Sequence, residues 1–325
     1  MKIISQENIR FHSFKFNRLW FSIRNRIYKS RKNEYIKNKK LVSIIRNQGH
    51  ITNTNLFSRV MRTGIHNIFP LSPERIIVII KNYILTIKNN NIVNRYKIKY
   101  GSRPIRSDVC VLNNKQILFG DYWSNPDKEP VHLYISRDKG ESWDVLWKSK
   151  AGFARHIHFV IPVVDDSKYI YFGTGDYGKD PGIYKLNIDS LKLSTIGSGL
   201  QRWRAVDLIQ TNNSLIWGTD CEYDQNHIYN FDLKSGRIKK LREIPGPAYY
   251  STMDKNHNFY IGTTVENRKK HKACILKSSD GINWEIMKCF KKDIWPAKLF
   301  GYGVIEFING QKNLDKLYYN LRGLK

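Results

Sequence analysis

Apolar and polar positions along this chain alternate in short runs rather than at helical spacing, and the clearest run lies between Arg155 and Asp176. Apolar and β-branched residues extend from Ile157 to Val164, an Asp165-Asp166-Ser167-Lys168 break follows, and Tyr169 to Phe172 resumes the run. This pattern predicts two strands joined by a turn. In an antiparallel hairpin the start of the first strand lies beside the end of the second, so His156 and His158 should share one sheet end with Asp176.

The second half of this hairpin, YIYFGTGD ending at Asp176, has relatives in ILFGD ending at Asp121, LIWGTD ending at Asp220 and FYIGTTVE ending at Glu266. Each is an apolar strand, a glycine and an acid, repeating at roughly 50 residues, the length of a four-stranded propeller blade. Further strands follow each copy: VHLYIS after Asp121, GIYKLNI after Asp176, HIYNFDL after Asp220 and ACILKS after Glu266. A weaker copy spans Ile68 to Tyr100, and two strands remain near Gly303–Phe307 and Leu317–Asn320. The segments RIYKS (Arg26–Ser30) and KLVSII (Lys40–Ile45) could complete that last sheet, closing the ring and removing its edges. The chain is therefore expected to be all-β, a six-bladed β-propeller of four-stranded blades whose N- and C-terminal segments share a blade. Counts of five or seven fit the same repeat because the terminal copies are degenerate. Residues 26–325 are assigned to one propeller and residues 1–25 to a basic, aromatic extension.

Composition adds little to the fold and something to the setting. Hydrophobic residues make up 41% of the 325, ample for a core. The N-terminus lacks the apolar run of a signal peptide, no stretch reads as a transmembrane segment, and Cys110, Cys221, Cys274 and Cys289 are scattered without close pairs. These features point to a cytoplasmic monomer. The formal charge of +27 accompanies an abundance of Lys, Asn and Ile and is first of all a solvated surface. It concentrates in residues 1–62, where Arg24, Arg26, Lys29 and Arg31 interleave with Trp20, Phe21 and Tyr28 and could touch a polyanion, although no nucleic-acid motif is present.

The hairpin argument, applied to each copy, pairs Arg103 with Asp121, His158 with Asp176, Arg204 with Asp220 and Tyr250 with Glu266, at separations of 16 or 18 residues. All eight should line one mouth of the central channel. Arg62 and Arg322 could join from the weaker blades, Glu222 follows closely on Asp220, and Tyr122, Trp123, Tyr177, Trp203 and Tyr249 lie nearby. Acids and arginines bond sugar hydroxyls while aromatic faces stack on the ring. Two carboxylates about 5 to 9 Å apart can cleave a glycosidic bond, and a His with a Tyr could instead abstract a proton beside a uronate carboxylate. The candidate catalytic residues are His156, His158, Asp176, Asp220, Glu266 and Tyr250. The candidate substrate-binding residues are Arg62, Arg103, Asp121, Arg204, Glu222 and Tyr249. His156 and His158 share a strand face and could ligate a metal with Asp176 as third ligand; hydrogen-bonded structural histidines are the preferred reading, and no metal or cofactor is assigned. The pairs Arg103/Asp121 and Arg204/Asp220 read equally well as structural ion pairs, and His132, His227, His257 and His271 as surface residues.

Two turns link the repeat to a known family. Ser136-Arg-Asp138-Lys-Gly140-Glu-Ser-Trp143 fits the pattern S-x-D-x-G-x-x-W, and Ser278-Ser-Asp280-Gly281-Ile-Asn-Trp284 is the same turn shortened by one residue. In such a turn the Asp bonds local backbone N–H groups, the glycine takes a positive φ and the Trp packs on the turn. Over residues 65–325 the chain resembles the bacterial-neuraminidase-repeat, or Asp-box, superfamily of sialidase-like propellers, whose turns occur in glycosidases and non-enzymatic propellers alike. Sialidases carry an Arg-Ile-Pro element, an arginine triad, a Tyr-Glu pair and an Asp acid. Here Arg103-Pro104-Ile105 is a permutation of the first, while Arg103 and Arg204 could contribute to an arginine cluster and Tyr249 or Tyr250 with Glu266 could mimic the pair. The chain looks most like the uncharacterised, polysaccharide-associated branch of that superfamily, which implies a saccharide link.

The expected function is thus carbohydrate binding or cleavage at the channel mouth. The substrate would be an anionic oligo- or polysaccharide, handled by a glycosidase or polysaccharide lyase if the site is catalytic. The alternative is a non-enzymatic scaffold docking a protein or polyanion through its basic N-terminal segment.

Overall fold

The structure, a computed structural model, describes residues 3–4, 9–31, 39–45, 64–101, 104, 106–266 and 271–325. Arg62 and Arg103 lie outside them. Six blades of four antiparallel strands stand in a ring, so the fold is a six-bladed β-propeller. Blades two to six follow the repeat. The fourth consists of His156–Val163, Asp166–Gly175, Gly182–Asn187 and Leu193–Ser198.

The first blade departs from the expectation. Its inner strands are Arg10–Lys15 and Arg18–Ile23, which the sequence reading left in the extension, and its outer strands are Arg26–Arg31 and Lys40–Ile44. Arg26–Arg31 therefore pairs with Arg18–Ile23, and Lys40–Ile44 with Arg26–Arg31, rather than with the C-terminal strands. The physical reason is burial: Phe11, Trp20 and Phe21 are fully enclosed, so this segment is core despite its charge. The lysines that looked free for a polyanion lie partly on their own blade, with Lys15, Lys29 and Lys39 over the rings of Phe16, Trp20 and Tyr28.

Closure does join the two ends of the chain, through other residues. The C-terminal hairpin Gly303–Phe307 and Leu317–Arg322 continues the sixth blade's sheet at Thr264↔Val304 and carries Ile3–Ile4 in parallel beside Leu317. Its other side packs on blade one, where Ile308, Leu314 and Tyr318 meet Phe11, Phe14 and Phe21.

Burial falls from the axis outward. The second strand of blade two, Arg75–Ile80, is buried on both faces, whereas its outermost strand, Asn91–Lys97, alternates half-buried with exposed. This explains why the second strands read as continuous apolar runs. The S-x-D turns join the third and fourth strands of blades three and six. In the first, Asp138 accepts from Ser136 Oγ, the Glu141 and Ser142 amides and Ser142 Oγ. The turn also fastens blade three to blade two, since Thr86 Oγ1 donates to the Gly140 carbonyl at 2.6 Å. Gly140, at φ 90°, has no room for a Cβ, which would fall 2.5 Å from Ile77 Cδ1. Cys274 and Cys289 stand opposite each other in adjacent strands and form a disulfide. Their spacing in sequence concealed a pair that the sheet register creates.

Candidate functional site

The mouth is built from the first residues of inner strands and the last residues of their neighbours. In blade four the pairing steps from Ile157↔Thr174 to Phe159↔Gly173, so His158 is an extra residue on the inner strand. Such a bulge re-aims its side chain. The same step occurs at His12, His66 and Tyr249. Tyr249, and not Tyr250, is thus the counterpart of His158, a one-residue shift that strand alternation alone does not reveal.

The predicted histidine–aspartate cluster forms. His156 Nε2 lies 2.9 Å from His158 Nε2, and Asp176 Oδ1 lies 3.1 Å from His158 Nε2 while Oδ2 lies 3.3 Å from His156 Nε2. Each ring is oriented by a backbone carbonyl at its other nitrogen: His156 Nδ1 donates to Trp123 O at 3.0 Å and His158 Nδ1 to Ala205 O at 3.1 Å. Gly175 makes room for this packing, because a Cβ there would sit 2.2 Å from His158 Cε1. Burial pushes the His158 imidazole below its ordinary value. Burial would raise the Asp176 carboxyl, but its hydrogen bonds and charge interactions with the two histidines hold it well below the usual carboxylate range.

Arg204 ties this cluster to the other acids. Its Nη2 lies 3.3 Å from Asp176 Oδ1, 3.4 Å from Asp220 Oδ2 and 4.0 Å from Glu222 Oε1, so three carboxylates gather around one nitrogen. Arg204 is therefore both an ion-pair partner and part of the mouth. Asp220 and Glu266 behave differently from Asp176. Burial raises both carboxyls, reinforced at Asp220 by the charges of Glu266 and Asp176 and at Glu266 by that of Glu222. Glu266 also accepts a hydrogen bond from the Tyr249 hydroxyl. Tyr122, His158, Asp176, Arg204, Val206, Asp220, Glu222, Tyr249, Tyr250 and Tyr302 line a cavity of about 130 Å³.

Asp121 does not join the others. It is fully buried and turned into its own blade, accepting from the His132 amide at 2.9 Å and pairing with His132 Nδ1 at 2.8 Å. His132 is accordingly a structural partner and not a surface residue. Trp203 is likewise no rim aromatic: it stacks on Trp217 in the core of blades four and five.

Of a second cluster, sequence reasoning named Arg322 alone and missed Arg10, Arg106 and Glu306. Arg10 opens the first strand of blade one, Arg106 precedes that of blade three, and Arg322 ends the C-terminal hairpin. All three converge on buried Glu306, with Arg10 Nη2 at 2.8 Å and Arg106 and Arg322 Nη1 at 3.7 Å. Among the described residues, three guanidiniums share this one carboxylate, an excess of positive charge. Burial would raise the Glu306 carboxyl, but Arg10, Arg322 and Arg106 pull it down to about 2. Tyr250 joins the clusters, facing the cavity while its hydroxyl accepts from the Arg106 amide. The available signal was the hairpin rule itself, which extends to the blade-one and C-terminal strands once those are recognised.

The sequence matches no protein-family model and no curated protein. Solved structures do share the fold. The chain is similar to a GH74 xyloglucanase from Xanthomonas campestris, with a TM-score of 0.58 and 12% identity over 99% of this chain and 54% of that one. It is also similar to the extracellular domain of a one component system from B. thetaiotaomicron, with a TM-score of 0.55 and 12% identity over 91% of this chain and 35% of that one. The chain thus spans about half of the xyloglucanase and about a third of the second protein. Both likenesses concern the fold.

Proposed function

We propose that the channel mouth binds an anionic oligo- or polysaccharide and hydrolyses it, the arginine cluster holding an acidic group and the carboxylate cluster cleaving the glycosidic bond. The observation that carries this reading is that an arginine cluster (Arg10, Arg106, Arg322) and an acidic cluster (Asp176, Asp220, Glu222) meet at Tyr250, which lines the acidic cavity and bonds the Arg106 amide. Two carboxyl groups, one giving and one taking a proton, are the usual apparatus of glycosidic cleavage. Glu266, whose carboxyl burial raises, gives its proton to the leaving oxygen as the C–O bond breaks. Glu222, the most exposed of the Arg204-linked acids at 37%, takes a proton from the water that adds to the sugar carbon. The Tyr249–Glu266 hydrogen bond and the two S-x-D turns support the Asp-box, sialidase-like affinity, and a fold shared with a xyloglucanase fits a saccharide substrate.

The test is a glycan-array screen followed by a reducing-end assay on each bound sugar. Wild type is expected to retain acidic glycans and release reducing ends, with activity falling as rising pH removes the Glu266 proton. Glu266→Gln should bind and not cleave, and Arg322→Gln should lose preference for acidic over neutral glycans. Product carrying a new double bond, read by ultraviolet absorbance, would replace hydrolysis with a lyase reaction. Absence of any glycan binding by folded protein would overturn the reading.

A further inference from the structure

The geometry of blade four points to a divalent metal site of the zinc class, with His156 Nε2, His158 Nε2 and an Asp176 oxygen as ligands and a further position open to the mouth. The inference stands on this cluster alone and does not depend on the saccharide reading.

Three features carry it. First, the ring protons are committed. A carbonyl oxygen can only accept, so the contacts to Trp123 O and Ala205 O place a proton on Nδ1 of each ring. With a proton on each Nδ1, both Nε2 atoms have a lone pair to give, and their 2.9 Å approach is relieved by a metal ion or a proton held between them. Outer-shell carbonyls acting on the far ring nitrogen are also what holds metal-ligating histidines in place.

Second, the spacing fits. Donors about 2.0–2.1 Å from a zinc ion and 90–110° apart lie roughly 3–3.4 Å from one another. Here the two Nε2 atoms are 2.9 Å apart, and the nearest Asp176 oxygens lie 3.1 Å from His158 Nε2 (Oδ1) and 3.3 Å from His156 Nε2 (Oδ2). Among the described residues this is the group of His, Cys, Asp and Glu side chains whose ligand atoms approach closely enough to hold an ion.

Third, the cluster is enclosed without being sealed. His158 is 2% exposed and the Asp176 side chain 14%, and both face the cavity, which leaves one direction for water or a ligand oxygen. Three protein ligands with one open position describe a catalytic rather than a closed structural zinc site. Arg204 and Arg155 lie 3.3 and 3.6 Å from Asp176 Oδ1 and Oδ2, and Arg204 is shared with Asp220 and Glu222.

The experiment titrates chelator-treated, full-length protein with Co²⁺ and then Zn²⁺ in the absence of sugar. One Co²⁺ per chain is expected, with the visible bands of a four- or five-coordinate nitrogen–oxygen site, displaced by one equivalent of Zn²⁺. Loss of an outer-shell partner alone costs about 10–100-fold in metal affinity, so His156→Gln, His158→Gln and Asp176→Asn should each weaken binding by at least about a hundredfold. Gly175→Ala keeps every ligand yet displaces His158 and should also weaken it, whereas His257→Gln, an exposed turn histidine, should not. Circular dichroism confirms that each variant is folded. Failure of wild type to take up either ion, or uptake that survives His158→Gln and Asp176→Asn, would overturn the site. So would ring-nitrogen resonances showing a proton shared between the two Nε2 atoms that neither ion displaces.

Discussion

Replacing Glu306 by Gln removes the one carboxylate that three arginines share, and the cost follows from the structure. Its side chain is 1% exposed, and its carboxyl is drawn from an ordinary 4.5 to about 2. At 1.36 kcal/mol per unit, that shift corresponds to about 3 kcal/mol of stability at neutral pH. The range of about 3–5 kcal/mol for breaking a buried ion pair agrees. The sign is that of a depressed acid: the contribution is complete above the unfolded value of 4.5 and disappears as pH falls toward 2. Urea unfolding followed by tryptophan fluorescence should therefore separate wild type from Glu306→Gln by about 3 kcal/mol at pH 7 and by only about 1 kcal/mol at pH 3. A difference below about 1 kcal/mol at pH 7, or one equal at both pH values, would refute the electrostatic account.

Two other substitutions separate architecture from site. Asp121→Asn weakens a buried carboxylate–His132 pair, so about 1–3 kcal/mol of stability should be lost in chemical unfolding while glycan binding is unchanged. A fall in binding by the folded variant would return Asp121 to the mouth. Asp138→Ala strips the acceptor from the blade-three turn and should lower stability by about 1 kcal/mol, again without altering binding. No change in the unfolding midpoint would mean that the turn does not fasten blades two and three.

The sequence by itself determined the blade and most of one cluster, because both are local. Alternation of apolar and polar residues sets which strand faces pack, and the glycine-then-acid ending marks the strand end wherever the blade recurs. From those two facts His156, His158 and Asp176 could be placed together, as could Arg204 with Asp220. Tertiary structure decided what depends on register and on distant chain. A bulge made Tyr249, and not Tyr250, the partner of Glu266. The rotamer at a strand end turned Asp121 into its blade toward His132. Register alone brought Cys274 opposite Cys289. The arginine cluster was the least legible, since Arg10 meets Glu306 across 296 residues of chain. No local pattern encodes a contact that arises only when the last hairpin packs on the first blade and the ring closes.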